Sequence, residues 1–238
     1  MTKSTSLFSA LFCTFIWGTT FIAQDTGMDK IGPLTFNATR FFVGFLSIIP
    51  LALLFERKKI TKEINDNKQL FYKMLFWIGL FLFLGTYLQQ TALLYTDVAN
   101  AAFFTIFYVP MVPIILFFFY SKSTHWSIWP SALFCIVGVY LLSDFSDATV
   151  RLGDSLVILC AFFWALHIIF IGNFIKNFNL PLFFGAMQAL VVSFFSFVFA
   201  VFFETITIPN ILNESVSIIY AGILSGGVAF TLQIYAQK

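Results

Sequence analysis

Charge is what this sequence has least of. Only 10% of its 238 residues are Asp, Glu, Lys or Arg, well under half of the about 25% found in average soluble domains. With a mean hydropathy of +0.92, too few polar side chains remain to cover a water-soluble surface, which excludes a soluble enzyme. The net charge is only +2 and forms no basic stripe, so a nucleic-acid partner is excluded as well. Cysteine is scarce too. Cys13, Cys135 and Cys160 all sit inside apolar runs, and none has a partner at metal-ligand spacing. That pattern predicts neither a disulfide framework nor a zinc site, and no cofactor is expected. The first apolar run, Leu7–Ala23, follows Lys3 as the core of a signal peptide would. No small-x-small cleavage pattern comes after it, and Phe12 is too bulky to precede a lipoprotein cysteine. It reads as a first membrane span.

What is abundant is apolar sequence, at 60% of the chain. Length and apolarity divide it into eight candidate spans: Leu7–Ala23, Leu34–Phe55, Lys73–Leu94, Asn100–Phe119, Trp126–Leu142, Gly153–Ile175, Leu182–Phe203 and Val216–Ala236. Spans of about 20 residues cross a bilayer as helices. The expected fold class is therefore all-α, a polytopic membrane helix bundle. Linkers such as Asp25–Pro33 and Ser143–Arg151 are short, and Glu56–Tyr72 is the only strongly charged stretch. Positively charged loops stay cytoplasmic. With the N-terminus inside, that side receives Lys3, six positive residues from Arg57 to Lys73, Lys122, Lys176 and Lys238, against Lys30 and Arg151 outside. Both ends are expected in the cytoplasm and the protein in a bacterial inner membrane, with the lipid bilayer as its first partner.

The sequence also resembles itself. Pro33-Leu34-Thr35-Phe36-Asn37-Ala38 recurs as Pro181-Leu182-Phe183-Phe184-Gly185-Ala186 at an offset of 148, and the register continues to Phe55-Glu56 against Phe203-Glu204, with eight of 24 positions identical. Cys13 and Trp17 match Cys160 and Trp164 at offset 147, and Leu88-Gln89 and Ala92 match Leu232-Gln233 and Ala236 at offset 144. These matches pair span n with span n+5, so the unit is five helices, residues 1–145, followed by a second unit over 146–238. An odd-numbered unit inserts its second copy upside down, the inverted repeat of many secondary transporters. Nothing in the second copy corresponds to Tyr95–Leu142. Eight spans are thus present of an expected ten. The chain is then a truncated copy of a longer sequence, the product of an interrupted gene, or a natural eight-helix form.

With these features the chain resembles EamA-type members of the drug/metabolite transporter superfamily. The resembling residues are Trp17-Gly18-Thr19-Thr20-Phe21, Pro33 with Arg40, Ala99-Asn100-Ala101-Ala102-Phe103, Tyr108-Val109-Pro110, Gly138-Val139-Tyr140-Leu141-Leu142, Gly153-Asp154 and Trp164-Ala165. The resemblance implies ten helices, cytoplasmic termini and alternating-access transport of small metabolites, often exported amino acids or their relatives. The chain departs from it by lacking the last two helices.

Polar groups inside hydrocarbon are costly and normally face the bundle interior. Arg40 is such a group: it could pair with a substrate carboxylate through its bidentate fork, or snorkel and brace the fold. Gln188 stands at its repeat-equivalent position. Trp17 with Thr20, and Trp164 with His167, lie on one helix face with Cys13 and Cys160, since positions i, i+4 and i+7 share a face. Both stripes are placed on a central cavity. His167 could carry a coupling proton, whereas a lone buried histidine is more often a hydrogen-bonded structural residue. Gln89 and Gln233 form another symmetric pair, as cavity lining or as packing glue. Tyr87, Asn100 and Tyr108 are weaker candidates, and Pro110 and Pro113 should loosen the fourth span.

The expected function is a secondary transporter exporting a small-molecule substrate, amino-acid-like or drug-like, with protons or another ion as coupling partner. The alternatives are a truncated non-transporting remnant or subunit, and a membrane-embedded enzyme. For the enzyme, His125, Asp97 and Asp154 form no recognisable acid–base or metal constellation.

Overall fold

Two glutamates at opposite ends of one helix pair set the frame of the molecule. α2 (Pro33–Phe55) begins with Pro33, which has no N–H to satisfy. Its next two amides are bound by Glu204, which follows the last residue of α9 (Pro181–Phe203). Glu204 Oε1 accepts from Leu34 N–H at 2.8 Å, and Oε2 accepts from the Thr35 N–H at 2.8 Å and the Thr35 hydroxyl at 2.7 Å. The fourth amide, Phe36 N–H, returns to Gly32 O at 2.9 Å. The other end repeats the arrangement. Glu56, just past α2, accepts from Leu182 N–H at 3.2 Å and Phe183 N–H at 2.8 Å, and Phe184 N–H donates to Leu180 O at 2.9 Å. Every unpaired amide of both first turns is therefore satisfied, and each carboxylate meets the positive end of a helix dipole. A side chain at Gly32 would collide with the Glu204 carboxyl group, so glycine is what lets the cap approach. Because the end of each helix caps the start of the other, α2 and α9 run antiparallel.

The computed structural model describes residues 3–121, 126–142 and 152–237. Lys122, His125, Arg151, Lys238, the Ser143–Arg151 linker and the expected boundary at 145/146 lie outside the described residues, as does the Cys135 side chain. The described residues are almost entirely helical. The further elements are α1 (Lys3–Thr26), α3 (Arg57–Asp66), α4 (Lys68–Ala92), α5 (Val98–Thr105), α6 (Tyr108–Tyr120), α7 (Ile128–Leu142), α8 (Leu152–Asn177), α10 (Ile208–Asn213), α11 (Ser215–Tyr220), a π-helix over Ala221–Ala229, and α12 (Phe230–Ala236). Among the described residues, seven helical segments are long and apolar enough to cross a membrane, with α5–α6 and α11–α12 each counted as one. Their number and composition make this an all-α polytopic membrane bundle.

The described part of the fifth span is the helix Ile128–Leu142, which lies within the expected Trp126–Leu142. Two features differ from the sequence expectation. The charged Glu56–Tyr72 stretch is not an open linker, because α3 occupies most of it. Ile60 and Ile64, one turn apart, pack that helix against the apolar cluster around Phe71, Phe174 and Phe184, while its basic residues stay exposed. The last span does not remain α-helical, since nine residues of it wind as a π-helix. That segment is rich in small residues because it lies directly on α2. A side chain at Gly222 would meet Arg40 O at 2.7 Å, and one at Gly44 would meet the Gly226 carbonyl carbon at 2.8 Å. Small residues at facing positions allow this close backbone approach between membrane helices.

The break expected near Pro110 is present. α5 ends at Thr105 and α6 starts at Tyr108. Across the join Ile106, Phe107 and Val109, the last already in α6, make tight i→i−3 bonds to Phe103, Phe104 and Ile106. Pro110 has no N–H for the Ile106 carbonyl, and its ring crowds that carbonyl, so the chain tightens one turn earlier.

Candidate functional site

The helices close around a small cavity, with about 50 Å³ open to the centres of water molecules. A single water needs ~10–15 Å³ on that measure, so there is room for a few. Its wall is Trp17, Phe21 and Gln24 of α1, Arg40 of α2, Thr86 and Gln89 of α4, Thr105 of α5, Tyr108 of α6, Trp164 of α8, Ser225 of the π-helix and Phe230 of α12. α9 contributes nothing to this wall, because it backs α2 from the other side.

The aromatic half of the wall is a cluster built on Phe230. Trp164 stacks on it with ring centroids 5.7 Å apart and planes within 2°, and Trp17 packs at 5.3 Å, tilted. Trp17 and Trp164, the repeat-matched pair, are themselves 5.8 Å apart. Offset and tilted rings at such distances are favourable beyond their area burial. Phe41 joins from behind at 5.8 Å.

The polar half is anchored by Arg40. Its side chain is 2% exposed. Its Nε donates to Asn37 Oδ1 at 2.8 Å, and Asn37 Nδ2 donates in turn to Thr86 O at 3.2 Å. The guanidinium carbon lies 4.6 Å from the Phe41 ring centroid and 5.6 Å from that of Phe36. A cation over a desolvated ring gains up to about 2 kcal/mol, which offsets part of the insertion cost of at least ~2.5–3.5 kcal/mol. Arg40 therefore does not snorkel to an interface. On the facing side Gln89 Nε2 donates to Thr105 Oγ1 at 3.0 Å, and that hydroxyl donates to Ala101 O at 2.7 Å.

Of the eleven residues singled out from the sequence, five meet at this wall, Trp17, Arg40, Gln89, Tyr108 and Trp164, while Tyr87 stacks on Phe83 at 6.0 Å and is not part of it. The other five lie elsewhere for identifiable reasons. Thr20 turns its hydroxyl back to Trp17 O at 2.9 Å within its own helix. Asn100 is half-buried on α5 and is not part of the wall. His167 and Gln188 are fully buried and bond each other, Nε2 to Oε1 at 3.1 Å. His167 packs edge-on behind Trp164 and Phe230, at 5.8 and 6.1 Å, one layer removed from the cavity. Gln233, the repeat match of Gln89, lies one turn beyond Phe230 on α12 and is buried outside the wall. The expected stripes divide in the same way. Cys13 Sγ donates to Ala229 O at 3.2 Å, Cys160 is buried in the core, and only the tryptophans reach the cavity.

Phe21, Gln24, Thr86, Thr105, Ser225 and Phe230 complete the wall without having been singled out. Phe21 and Gln24 follow Trp17 at i+4 and i+7, so the lining face of α1 is the expected one moved by one turn. Thr86 is one turn before Gln89 on α4.

Residues 4–144 and 151–238 match the EamA-like transporter family. An uncharacterized transporter of Archaeoglobus fulgidus is 32% identical over 190 residues, spanning 80% of this chain and 56% of that protein. The chain thus spans little more than half the length of that relative. The uncharacterized transporter YoaV of Bacillus subtilis is 24% identical over 247 aligned positions, 94% of this chain and 79% of YoaV. A crystal structure with 17% sequence identity superposes with a TM-score of 0.74, covering 99% of this chain and 80% of its own. That similarity establishes the fold. With both matched segments together covering nearly all of the sequence, this integral membrane chain belongs to the EamA-like transporter family.

Proposed function

We propose that the chain forms the translocation path of a secondary transporter that exports small metabolites by alternating access. The observation that carries this reading is the cavity itself: a mixed polar and aromatic chamber lined by helices from both sequence-related parts of the chain. In this reading residues 1–145 and 146–238 are inverted units, and rocking one against the other exposes the chamber to each face in turn. Three features support it. α2 and α9 cap each other reciprocally. α8 packs on α4 as its sequence counterpart α1 packs on the α11–α12 span. Finally, the two irregular segments border the chamber, since Thr105 and Tyr108 flank the α5–α6 break while Ser225 and Phe230 lie in and just after the π-helix.

The N-terminus faces the cytoplasm of a bacterial inner membrane in this reading, with the basic α3 on the same side. Reporter fusions at the N-terminus and after α2 check the orientation. Function is tested in proteoliposomes loaded with a panel of radiolabelled metabolites. At least one should leave faster than from empty-lipid controls, and Trp17→Ala or Gln89→Ala should abolish that efflux with membrane insertion intact. Unchanged efflux in both variants rejects the chamber as the transport site.

A further inference from the structure

The chamber has one formal charge on its wall, and nothing on the wall balances it. Arg40 is the only ionisable group of fixed charge among the residues that line it. Among the described residues, Arg40 makes one side-chain hydrogen bond, Nε to Asn37. That bond leaves the two terminal amino groups for the chamber. A buried cation without a counter-charge is expensive, and the faces of Phe36 and Phe41 recover only part of that cost. The remaining compensation must come from what occupies the chamber.

We propose that the chamber takes a small organic monoanion, a carboxylate on a short apolar body, with the carboxylate on the Arg40 guanidinium and the body against Trp17, Trp164 and Phe230. This rests on the chamber being the transport site proposed above. One negative charge neutralises the single positive one, whereas a dianion such as a phosphate ester would leave a net charge in hydrocarbon. The planar fork of arginine matches a carboxylate in two parallel bonds. Asn37 is a positioning residue. It is fully buried, fixes Nε, and is itself tied to the α4 backbone at Thr86, so it sets the direction in which the terminal amino groups point. The chamber volume limits the body to a few heavy atoms unless Trp17 or Tyr108 moves.

The test is a titration of the full chain in lipid nanodiscs with propionate, propionamide and propylammonium, which share a body and differ in head charge. Binding is read from the fluorescence of Trp17 and Trp164, with Trp77, Trp126 and Trp129 replaced by Phe. Propionate should half-saturate at a concentration about tenfold below propionamide, the size of one charge-assisted contact, and propylammonium should give no saturable change. Arg40→Gln should erase the preference for propionate. Arg40→Lys should retain the charge selection with weaker binding, and Asn37→Ala should weaken propionate several-fold while leaving propionamide unchanged. Propionamide or propylammonium binding as well as propionate, no binding of any probe, or a preference that survives Arg40→Gln overturns the proposal. Should Arg40→Gln not fold, loss of the preference in Arg40→Lys overturns it instead. A propionate preference in a chain that moves no metabolite in proteoliposomes would reject the transport reading and leave the anion site in place.

Discussion

α2 and α9 are alike at their ends and unlike between them. Both start Pro-Leu, both bury the same Phe and Ala one turn on, and both end at Phe-Glu with the glutamate amide bonded to a buried alanine carbonyl at 2.8 Å. In the second turn, Asn37 and Arg40 correspond to Gly185 and Gln188 in the other copy. The first pair builds the polar wall of the chamber, and the second gives Gln188 to His167 in the layer behind. Helix ends have four unpaired amides whatever the protein does, so the capped frame is constrained equally in both copies. The second turn of each helix has no such obligation, and only one copy carries a charge there.

The largest effect is expected from giving α9 the polar residues of α2. Gln188→Arg would bury a second guanidinium with glycine, not asparagine, one turn before it. We expect a loss of at least about 3 kcal/mol, read as a fall in the thermal unfolding midpoint in nanodiscs. A midpoint within a degree of the parent would show that the two positions are interchangeable. Next come the ends. Glu204→Ala leaves the amides of Leu34 and Thr35 without acceptors and should cost about 2 kcal/mol. Glu56→Ala should cost less, because it accepts two bonds instead of three. Equal or reversed losses would mean that these caps do not set the frame. Smaller still is His167→Gln, which keeps a group able to bond Gln188. Its cost should stay under about 1 kcal/mol, with the pH profile of transport unchanged. A profile that flattens in this variant would make His167 the carrier of a coupling proton.

The frame was legible in the sequence because its constraints are local and repeated. Pro33 and Pro181, Glu56 and Glu204 stand at one offset, and a proline at a helix start with a glutamate at the partner's end is a pattern that survives inversion. Arg40 and the tryptophan pair were legible for a different reason, since a charge and two large amphipathic rings are costly anywhere but the interior. The phase of α1 was not. Trp17 belongs equally to the faces 13/17/20 and 17/21/24, and a helix that is apolar all round offers no polar edge to choose between them. Only its packing against α12 and the π-helix turns Phe21 and Gln24 inward. The π-helix left no trace in hydropathy either. Thr105 and Ser225 are small hydroxyls, common as packing residues in membrane helices, and they become distinctive only when a chamber is seen beside them.

The smallest effect expected is a pH dependence carried by Glu56. Burial pushes its carboxyl group above the ordinary glutamate range, and Glu63 adds to this, although the amides of Phe183 and Leu182 and the charge of Lys59 pull the other way. A group whose pKa is higher in the folded chain than in the unfolded one leaves the folded state holding more protons between those two values. Stability then falls as pH rises through that window. Below the unfolded pKa both states are protonated and the favourable contribution is complete; above the folded one it is gone. Thermal midpoints measured from pH 4 to pH 7 should therefore slope downward in the parent, and Glu56→Gln, which cannot ionise, should remove that part of the slope. A slope that persists in Glu56→Gln would place its origin in another group.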